Sequence, residues 1–365
     1  MMTTRTVMIM AGGTGGHIYP GLAVAETMTR QGWRVVWLGS RQGMETRLVP
    51  PFGYEMAWLS IGGLRGKGGL KKVKAVFGLA RALLQSWRVL RQFRPDVVLG
   101  MGGYPSFPGG LMASLMRKPL LIHEQNAIAG LSNRVLACMA DKVLTGFPNV
   151  FGRPIDRPLP CGKVSAVWTG NPVRADIAAV NHAEDMADDT PLRMLVVGGS
   201  LGAAVLNQVV PEALALIPAE RRPQVVHQSG RQHLQTLQQA YAAVGVAAEV
   251  VEFIDDMAER YAWCDLAITR AGALTLAELA AAGVPALLVP YPHAVDDHQT
   301  HNARFLVDSG AAQMIPQQEL TAVSLAARLS QFGREQLRAM GRCARAVAKP
   351  DAAARVAQYC QEAAR

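Results

Sequence analysis

A glycine-rich loop that ends in a histidine is the segment of the first half best suited to chemistry. Residues 12–17 read GGTGGH, follow the apolar run 7–10 and precede a helical pattern from Ile18 to Arg30. A strand, a glycine turn and a helix N-terminus in that order form an anion site, because free N–H groups and the helix dipole favour negative charge. We therefore expect a phosphate-binding loop with His17 beside it.

The second half repeats this arrangement. The apolar run 194–197 leads into Gly198-Gly199-Ser200 and a further helical pattern. No Gly-Lys-Ser/Thr follows either loop, so an ATP-hydrolysing P-loop loses its main support. The acid that holds the ribose of NAD is absent after the second predicted strand, where Arg41 could instead accept an NADP phosphate.

Residues 269–278 contain a third candidate site. A predicted strand ends near Thr269, and Gly272 permits a turn into a helix that starts near Ala273. The first N–H groups of that helix can hold a diphosphate without a metal. Glu278 follows in the second turn, where a carboxylate can accept hydrogen bonds from both hydroxyls of a ribose. The alternative is a solvated helix acid.

Two polar clusters could complete a ligand site. Residues 123–126 (HEQN) end a predicted strand, although His123 could equally be a buried structural histidine. His298, Gln299 and His301 lie close together, but the spacing is not the usual one for zinc on a helix, and no third ligand is evident. We expect sugar contacts rather than a metal site, and no cofactor.

Short apolar strands alternate with helical patterns along both halves. The predicted strands are residues 7–10, 35–38, 97–99, 120–123, 142–145, 194–197, 224–227, 250–253, 266–269 and 286–289. This alternation predicts two doubly wound α/β domains of the Rossmann type, with a ligand cleft between their glycine loops. Residues 170–174 and 181–190 read as a linker, and a final helix over 352–364 could pack on either domain.

Composition excludes several classes of protein. Five scattered cysteines form neither a disulfide framework nor a zinc pattern, which favours a reducing cytoplasm. The N-terminal apolar run is too short for a signal peptide, and no apolar stretch reaches 18 residues. Residues 1–165 hold 21 Lys/Arg and 7 Asp/Glu, a net charge of +14. The remaining residues carry a net charge of −5, which gives +9 for the whole chain. The two halves are therefore expected to meet different partners.

A basic amphipathic helix is predicted over residues 70–93, after a glycine-rich stretch. No acid occurs between Glu55 and Asp96, whereas nine basic residues do. Together with Phe77 and Trp87, this pattern is typical of an element on an anionic membrane surface. A solvated charged face is the simpler alternative. Few aromatics in stacking patterns and no known motif argue against nucleic acid as a partner.

The motifs together resemble the MurG family over nearly the whole chain. The resemblance rests on residues 12–17, 102–104, 123–126, 170–174, 198–200 and 253–257, and on Ala273-Leu274-Thr275 with Glu278. It implies a GT-B glycosyltransferase that moves GlcNAc from UDP-GlcNAc to the lipid-linked muramyl-pentapeptide, converting lipid I to lipid II. It further implies a peripheral enzyme on the cytoplasmic face of the bacterial inner membrane.

The resemblance also implies roles for residues. Residues 1–168, with a possible contribution from 350–365, would bind acceptor and membrane, and residues 169–349 would bind UDP-GlcNAc. Glu278 would hold the ribose, Ile254 the uracil, and Gln299 with His298 the GlcNAc hydroxyls. The implied donor-site positions are Thr14, Gly15, Gly16, Asn126, Arg174, Ser200, Ile254, Ala273, Leu274, Thr275, Leu276, Ala277, Glu278, His298 and Gln299. The implied acceptor-side positions are Gly13, Gly102, Gly103 and Tyr104, and the acceptor's own diphosphate would suit the loops at residues 13–16 and 102–104.

The family usually has Gln-Gln where this chain has His298-Gln299, in a segment one residue longer here. For the reaction we expect direct displacement with inversion, in which the muramyl C4 hydroxyl attacks the anomeric carbon. His17 is the first candidate for the general base and Glu124 the second. The alternatives are a UDP-GlcNAc 2-epimerase, a glycolipid synthase, an NADP-linked enzyme and a membrane-surface protein that binds a nucleotide for regulation.

Overall fold

The computed structural model describes residues 4–60, 69–152, 165–180, 190–199 and 202–364. The chain divides into two compact units. Unit 1 comprises Met1–Arg174 and Pro350–Arg365, and unit 2 comprises Ala175–Lys349. Each unit is built on one parallel sheet, as the alternation of strands and helices predicts.

Unit 1 contains a seven-stranded sheet in the order β3-β2-β1-β4-β5-β6-β7, and every pairing is parallel. The strands are β1 (Thr6–Ala11), β2 (Arg34–Ser40), β3 (Glu55–Leu59), β4 (Val97–Gly102), β5 (Leu120–Glu124), β6 (Lys142–Thr145) and β7 (Ala166–Trp168). The order reverses between β1 and β4, so the crevice at their carboxyl ends is where a doubly wound sheet binds ligands.

Helices cover both faces of this sheet. They are α1 (Gly15–Arg30), α2 (Glu45–Leu48), α3 (Gly69–Phe93), α4 (Ser106–Leu115) and α5 (Leu131–Leu136). Successive strand residues point to opposite faces. In β1, Val7 and Ile9 therefore join the core with α1, whereas Met8 and Met10 join the core with α4. All four side chains are fully buried, which explains the continuous apolar run in the sequence.

Unit 2 repeats the topology with six parallel strands in the order β10-β9-β8-β11-β12-β13. The strands are β8 (Arg193–Val197), β9 (Gln224–Gln228), β10 (Glu249–Val251), β11 (Leu266–Thr269), β12 (Ala286–Leu288) and β13 (Ala312–Met314). The helices from the unit boundary onward are α6 (Ala175–Ala178), α7 (Ala204–Ala215), α8 (Leu234–Ala243), α9 (Met257–Trp263), α10 (Ala273–Ala282), α11 (His298–Asp308), α12 (Ala322–Gln331), α13 (Arg334–Val347) and α14 (Ala352–Ala363).

The boundary between the units lies after Arg174, whereas the sequence places it after residue 168. Residues just beyond 168 are fixed to the first sheet by hydrogen bonds. Gly170 N donates to Thr145 O at 3.1 Å, and Asn171 Nδ2 donates to Gln125 O at 3.0 Å. These bonds keep residues 169–174 in unit 1.

The last helix, α14, belongs to unit 1. Val356, Ala357 and Cys360 are fully buried in the core that α1 shares with the sheet. The chain therefore returns to its first unit after completing the second.

An aspartate placed just before a strand recurs in the two sheets. Asp96 Oδ2 accepts from Thr6 N at 2.7 Å, and Asp265 Oδ2 accepts from Arg193 N at 2.8 Å. In each case the acid precedes the fourth strand of its unit and binds the first residue of that unit's first strand. The bond anchors the amino-terminal ends of the two central strands.

The predicted strands are all present, but the sequence reading missed β3, β7 and β13. All three lie at the edge of a sheet and have partly exposed side chains. Such segments do not form the continuous apolar run that marks a buried strand. Among the described residues, no helix has both the length and the apolar character needed to cross a bilayer.

Candidate active site

The two glycine loops of unit 1 meet at the carboxyl ends of β1 and β4. Gly103 has φ +80°, and a Cβ built there would lie 2.1 Å from the Gly12 carbonyl oxygen. Gly102 has φ +103°, and a Cβ built there would lie 2.6 Å from His17 Nδ1. Glycine is therefore required at both positions. The contact brings together His17 and the predicted acceptor-side loop, from which Tyr104 is exposed.

The buried carboxylate of Glu45 holds the first glycine loop in place. Glu45 Oε2 accepts from Gly13 N at 2.9 Å, and Oε1 accepts from Ser40 N at 2.7 Å and Ser40 Oγ at 2.8 Å. Glu45 is fully buried. The Gly13 N–H thus donates to a side chain of the protein. It is therefore not one of the N–H groups of this loop that an anion would meet.

The N–H groups of Gly15 and Gly16 lie in the first turn of α1, where no intrahelical carbonyl can accept from them. Thr14 precedes them in an extended conformation, and its carbonyl accepts from His17 N at 3.2 Å. A negatively charged ligand group at this turn would meet these two N–H groups and the positive end of the helix dipole.

Both carboxylate oxygens of Glu124 accept hydrogen bonds from the segment that follows β5. Oε1 accepts from Asn126 N at 3.0 Å and from Asn126 Nδ2 at 3.3 Å. Oε2 accepts from Gly130 N at 3.1 Å and from Asn133 Nδ2 at 2.8 Å. With both oxygens engaged and the side chain buried, Glu124 orders the segment that carries Asn126.

Arg174, another predicted donor-site residue, is half-buried at the end of unit 1.

His17 occupies the first turn of α1, and its Nδ1 lies 2.9 Å from Gln125 Oε1. Gln125 is buried and follows β5, the strand next to β4. The sequence motif 123–126 is thereby joined to the glycine loop, 108 residues earlier in the chain.

The corresponding edge of unit 2 has a similar close approach. Gly202 has φ +75°, and a Cβ built there would lie 2.1 Å from Ser229 O. The loop after β8 is therefore pressed against the end of β9. Ser200, predicted to bind diphosphate, lies outside the described residues.

Helix α10 starts at the predicted place, with Gly272 at its N-cap. The N–H groups of Leu274 and Thr275 lie in its first turn and have no intrahelical acceptor. Leu276 differs from them, because its N–H donates to Gly272 O at 3.0 Å and its side chain is buried. Ala273 is buried at the first position of the helix, and Ala277 lies half-buried beyond Leu276.

Glu278 is half-buried on α10 and is oriented by a residue that the sequence analysis missed. Tyr261, fully buried on α9, donates its hydroxyl proton to Glu278 Oε2 at 3.1 Å. Ile254 is buried in the loop that connects β10 to α9. Glu278 and Ile254, the predicted contacts to ribose and uracil, thus lie on α10 and in the loop before α9.

Gln299 connects two loops at the end of β11 and β12. Its Oε1 accepts from Ala271 N at 3.2 Å and from Tyr291 N at 2.9 Å. Because the amide oxygen is engaged, the side chain can offer a ligand its NH2 group. His298 begins α11, directly after Asp297, whose φ is +49°. This left-handed turn orients the start of the helix.

The residues that sequence reasoning missed share one property: each acts on a predicted residue from far along the chain. Glu45, Gln125 and Tyr261 contact Gly13, His17 and Glu278 respectively. Gln125 was visible within the motif 123–126, whereas nothing local marked Glu45 or Tyr261. Within the described parts of the chain, no group of three or more His, Cys, Asp or Glu side chains could hold a metal ion.

Comparison with known proteins identifies the family. Residues 7–145 match the glycosyltransferase family 28 N-terminal domain, and residues 193–356 match its C-terminal domain. A UDP-N-acetylglucosamine–N-acetylmuramyl-(pentapeptide) pyrophosphoryl-undecaprenol N-acetylglucosamine transferase of Thiobacillus denitrificans is 58% identical over 361 residues, 99% of both chains. A protein of the same name from Bordetella pertussis is 57% identical over 366 residues, 100% of this chain and 99% of that one.

The crystal structure of Acinetobacter baumannii MurG superimposes with a TM-score of 0.83 at 40% identity, covering 98% of this chain and 99% of that chain. The two parallel-sheet units therefore form the GT-B fold. The NADP-linked alternative has no support from these relatives. From the two domain matches, the full-length identity and the shared fold, we conclude that this chain belongs to glycosyltransferase family 28, as a member of the MurG family.

Proposed function

We propose that this protein transfers GlcNAc from UDP-GlcNAc to the C4 hydroxyl of undecaprenyl-diphospho-MurNAc-pentapeptide, which converts lipid I to lipid II in peptidoglycan synthesis. The observation that carries the proposal is the 58% identity, over 99% of both chains, to a transferase named for this reaction. The carboxyl-edge loops of both sheets supply the helix N-termini that two diphosphate-bearing substrates require.

Unit 2 is proposed to bind the donor. Glu278, held by Tyr261, accepts hydrogen bonds from the ribose hydroxyls. The first-turn N–H groups of Leu274 and Thr275 face the diphosphate, and Gln299 offers its NH2 group to the sugar. As UDP leaves, negative charge grows on its terminal phosphate, and these N–H groups with the α10 dipole stabilise that charge.

Unit 1 is proposed to bind the acceptor diphosphate at the first turn of α1, through Gly15 and Gly16. His17 then takes the proton from the C4 hydroxyl through Nε2. The C4 oxygen forms a bond to the anomeric carbon, and the bond from that carbon to the UDP oxygen breaks with its electron pair. Glu124 is not assigned this role here, because its four hydrogen bonds hold the loop.

We further propose that unit 1 contacts an anionic membrane surface. Phe77 is 73% exposed and Leu131 is 78% exposed, and other large apolar side chains on α3, α4 and α5 are exposed as well. On α3, exposed Arg81 and Arg88 alternate with the exposed apolar residues at helical spacing. The apolar members of this surface, here called the apolar patch, are Phe77, Leu84, Trp87, Leu115, Leu131 and Val135.

The apolar patch is connected to the proposed acceptor loops. Helix α4 runs from just after Tyr104 to Leu115, a length of about 15 Å. Helices α3 and α5 both pack against α4. A bilayer at the patch would therefore hold the lipid tail of the acceptor within reach of the loop. Lys71, Lys72 and Lys74 are three of the nine basic residues between Glu55 and Asp96, and their side chains lie outside the described part of the chain.

The direct test follows the sugar and the nucleotide together. Purified protein is incubated with radiolabelled UDP-GlcNAc and a lipid I analogue, and both glycosylated lipid and UDP are measured. We expect equal amounts of the two products, and none without acceptor. Conversion of the donor without acceptor would instead indicate a 2-epimerase. His17→Ala should lower kcat by about 100-fold or more, whereas Gln238→Ala, at an exposed position on α8, should not.

A further inference from the structure

A chain of hydrogen bonds runs from the backbone at the end of unit 1 to the imidazole of His17. His123 Nε2 lies 2.9 Å from Gly170 O, and Gln125 Nε2 lies 3.1 Å from His123 Nδ1. Gln125 Oε1 lies 2.9 Å from His17 Nδ1. Because some of these atoms can only donate or only accept, the direction of every bond can be deduced.

The deduction begins at Gly170, whose carbonyl oxygen can only accept. His123 Nε2 therefore carries a proton and donates it. His123 is completely buried, and burial lowers its pKa to about 4, so the ring is neutral near pH 7. A neutral imidazole that is protonated on Nε2 presents a lone pair on Nδ1. His123 Nδ1 is thus an acceptor.

The amide of Gln125 is fixed by two acceptors at once. Its nitrogen lies 3.1 Å from His123 Nδ1 and 3.1 Å from the His123 carbonyl oxygen. A flipped amide would place oxygen against both acceptors and lose both bonds. The NH2 group therefore faces His123, and Oε1 faces His17. An amide oxygen only accepts, so His17 Nδ1 is the donor.

We infer that Gln125 is a positioning residue that holds the His17 imidazole with a proton on Nδ1, so that Nε2 is the ring nitrogen that receives the acceptor's proton. The tautomer follows from the hydrogen-bond geometry together with the neutral state of buried His123, whereas its use in catalysis rests on the proposed function. Gly102 reinforces the arrangement, since only glycine leaves room for the ring at this position. With the ring turned over, Cδ2 would face Gln125 Oε1 and the hydrogen bond would be lost.

The tautomer can be measured on the unsubstituted protein without substrate. Protein labelled with ¹⁵N in its histidine rings is examined by NMR at neutral pH, and the His17 signals are assigned by their loss in His17→Gln. We expect a protonated Nδ1 and an unprotonated Nε2. An unprotonated Nδ1 with a protonated Nε2 would overturn the inference, whatever the activity of the protein.

The link to catalysis is tested with two variants whose folding is checked by thermal unfolding. Gln125→Leu should lower kcat about tenfold or more with the KM for UDP-GlcNAc changed less than twofold, because it removes the acceptor that selects the tautomer. Gln125→Glu keeps an acceptor facing His17. It should be more active than Gln125→Leu, and the acidic limb of its kcat profile should lie at higher pH, since a carboxylate favours the imidazolium.

The matched control is Gln238→Leu, an exposed position on α8. It should leave kcat and the pH profile unchanged. If the NMR result is as expected but folded Gln125→Leu keeps the parent kcat, the positioning role is overturned while the tautomer stands. If His17→Ala also keeps the parent kcat, the failure lies in the proposed role of His17 as base and not in the deduction of the tautomer.

Discussion

Tyr261 and Glu278 are joined by a hydrogen bond of 3.1 Å from the phenol oxygen to Oε2. Tyr261 is fully buried on α9, whereas Glu278 is half-buried on α10, the helix whose N-terminus faces the proposed diphosphate position. The bond uses one lone pair of the carboxylate and fixes its plane. The other carboxylate oxygen is thereby oriented before the donor binds, which lowers the entropic cost of binding.

Removing the Glu278 carboxylate should weaken donor binding. Hydrogen bonds to a charged group contribute about 1.5–3 kcal/mol, so Glu278→Ala should raise the KM for UDP-GlcNAc about 10- to 150-fold. Tyr261→Phe keeps the acid and removes only its orientation, so we expect a rise of a few-fold. Steady-state kinetics with varied UDP-GlcNAc measure both. Equal KM values for Glu278→Ala and the parent would refute the ribose assignment.

Glu45 should be needed for the shape of the first glycine loop. Glu45→Gln replaces one acceptor oxygen with a donor that faces the N–H of Gly13 or Ser40. We expect a loss of about 1–3 kcal/mol in the free energy of unfolding. We also expect a larger loss in kcat/KM for the lipid acceptor than for UDP-GlcNAc. Glu26→Gln, an exposed acid on α1, is the control. Equal losses for both substrates would argue against a role for this loop on the acceptor side.

Breaking the Asp265 hydrogen bonds should destabilise unit 2 locally. Asp265 is buried and accepts from Arg193 N, Nε and Nη2, at 2.8, 3.3 and 2.8 Å. Asp265→Ala should lower the free energy of unfolding by about 2–4 kcal/mol. Hydrogen–deuterium exchange should accelerate in peptides from β8 and β11 and not in those from β1 and β4. Asp96→Ala should give the opposite pattern.

The pH dependence of stability should reflect two buried histidines. Burial lowers the pKa of His123 to about 4 and that of His227 to about 3, against 6.5 for the unfolded chain. Below pH 6.5 the unfolded state binds these protons while the native state does not, so stability falls as pH drops. The slope is about 1.4 kcal/mol per pH unit for each histidine, and it ends as the pH passes through each folded-state pKa.

Urea unfolding at pH 7.5, 6.0 and 5.0 measures this slope. His227→Gln cannot titrate in this range and should show a shallower slope than the parent protein. A slope unaffected by the substitution would mean that other groups cause the acid sensitivity.

The apolar patch should govern binding to lipid. Phe77→Asp places a charge on its exposed face and should lower sedimentation with phosphatidylglycerol vesicles, because it removes apolar contact and adds repulsion from the anionic surface. Phe52→Asp is the matched control, since Phe52 is also exposed in unit 1 but lies outside the patch. Turnover of a water-soluble acceptor analogue should be unchanged by both. Equal binding of the two variants to vesicles would remove the membrane assignment.

The sequence predicted the architecture well because the signals that set it are local. The run 7–10 is buried on both faces, and a glycine turn follows it directly, so strand, loop and helix could be read from adjacent residues. The same signals identified β8 and the start of α10 at Ala273. The edge strand β7 has only half-buried side chains, so it lacks the apolar run that marks the central strands.

The interior of the candidate site could not be read in this way. The bond between His17 and Gln125 joins residues 108 positions apart, and that between Gly13 and Glu45 joins residues 32 positions apart. Both depend on which strands become neighbours in the sheet. The same applies to the hydrogen bonds that Glu124 accepts from Gly130 N and Asn133 Nδ2, which the residue type alone does not reveal. Residue types indicate where binding or catalysis is possible. The three-dimensional contacts show which side chains hold other residues in place.

The return of α14 to unit 1 has a consequence for synthesis on the ribosome. Unit 2 is complete once Lys349 has emerged, but the core of unit 1 still lacks Val356, Ala357 and Cys360. The first unit to be translated is therefore the last to close its core. Until then the apolar surface of α1 and the sheet that α14 later covers is exposed to solvent and to chaperones. The core of the proposed acceptor-binding unit thus closes only after the whole of unit 2 has been synthesised.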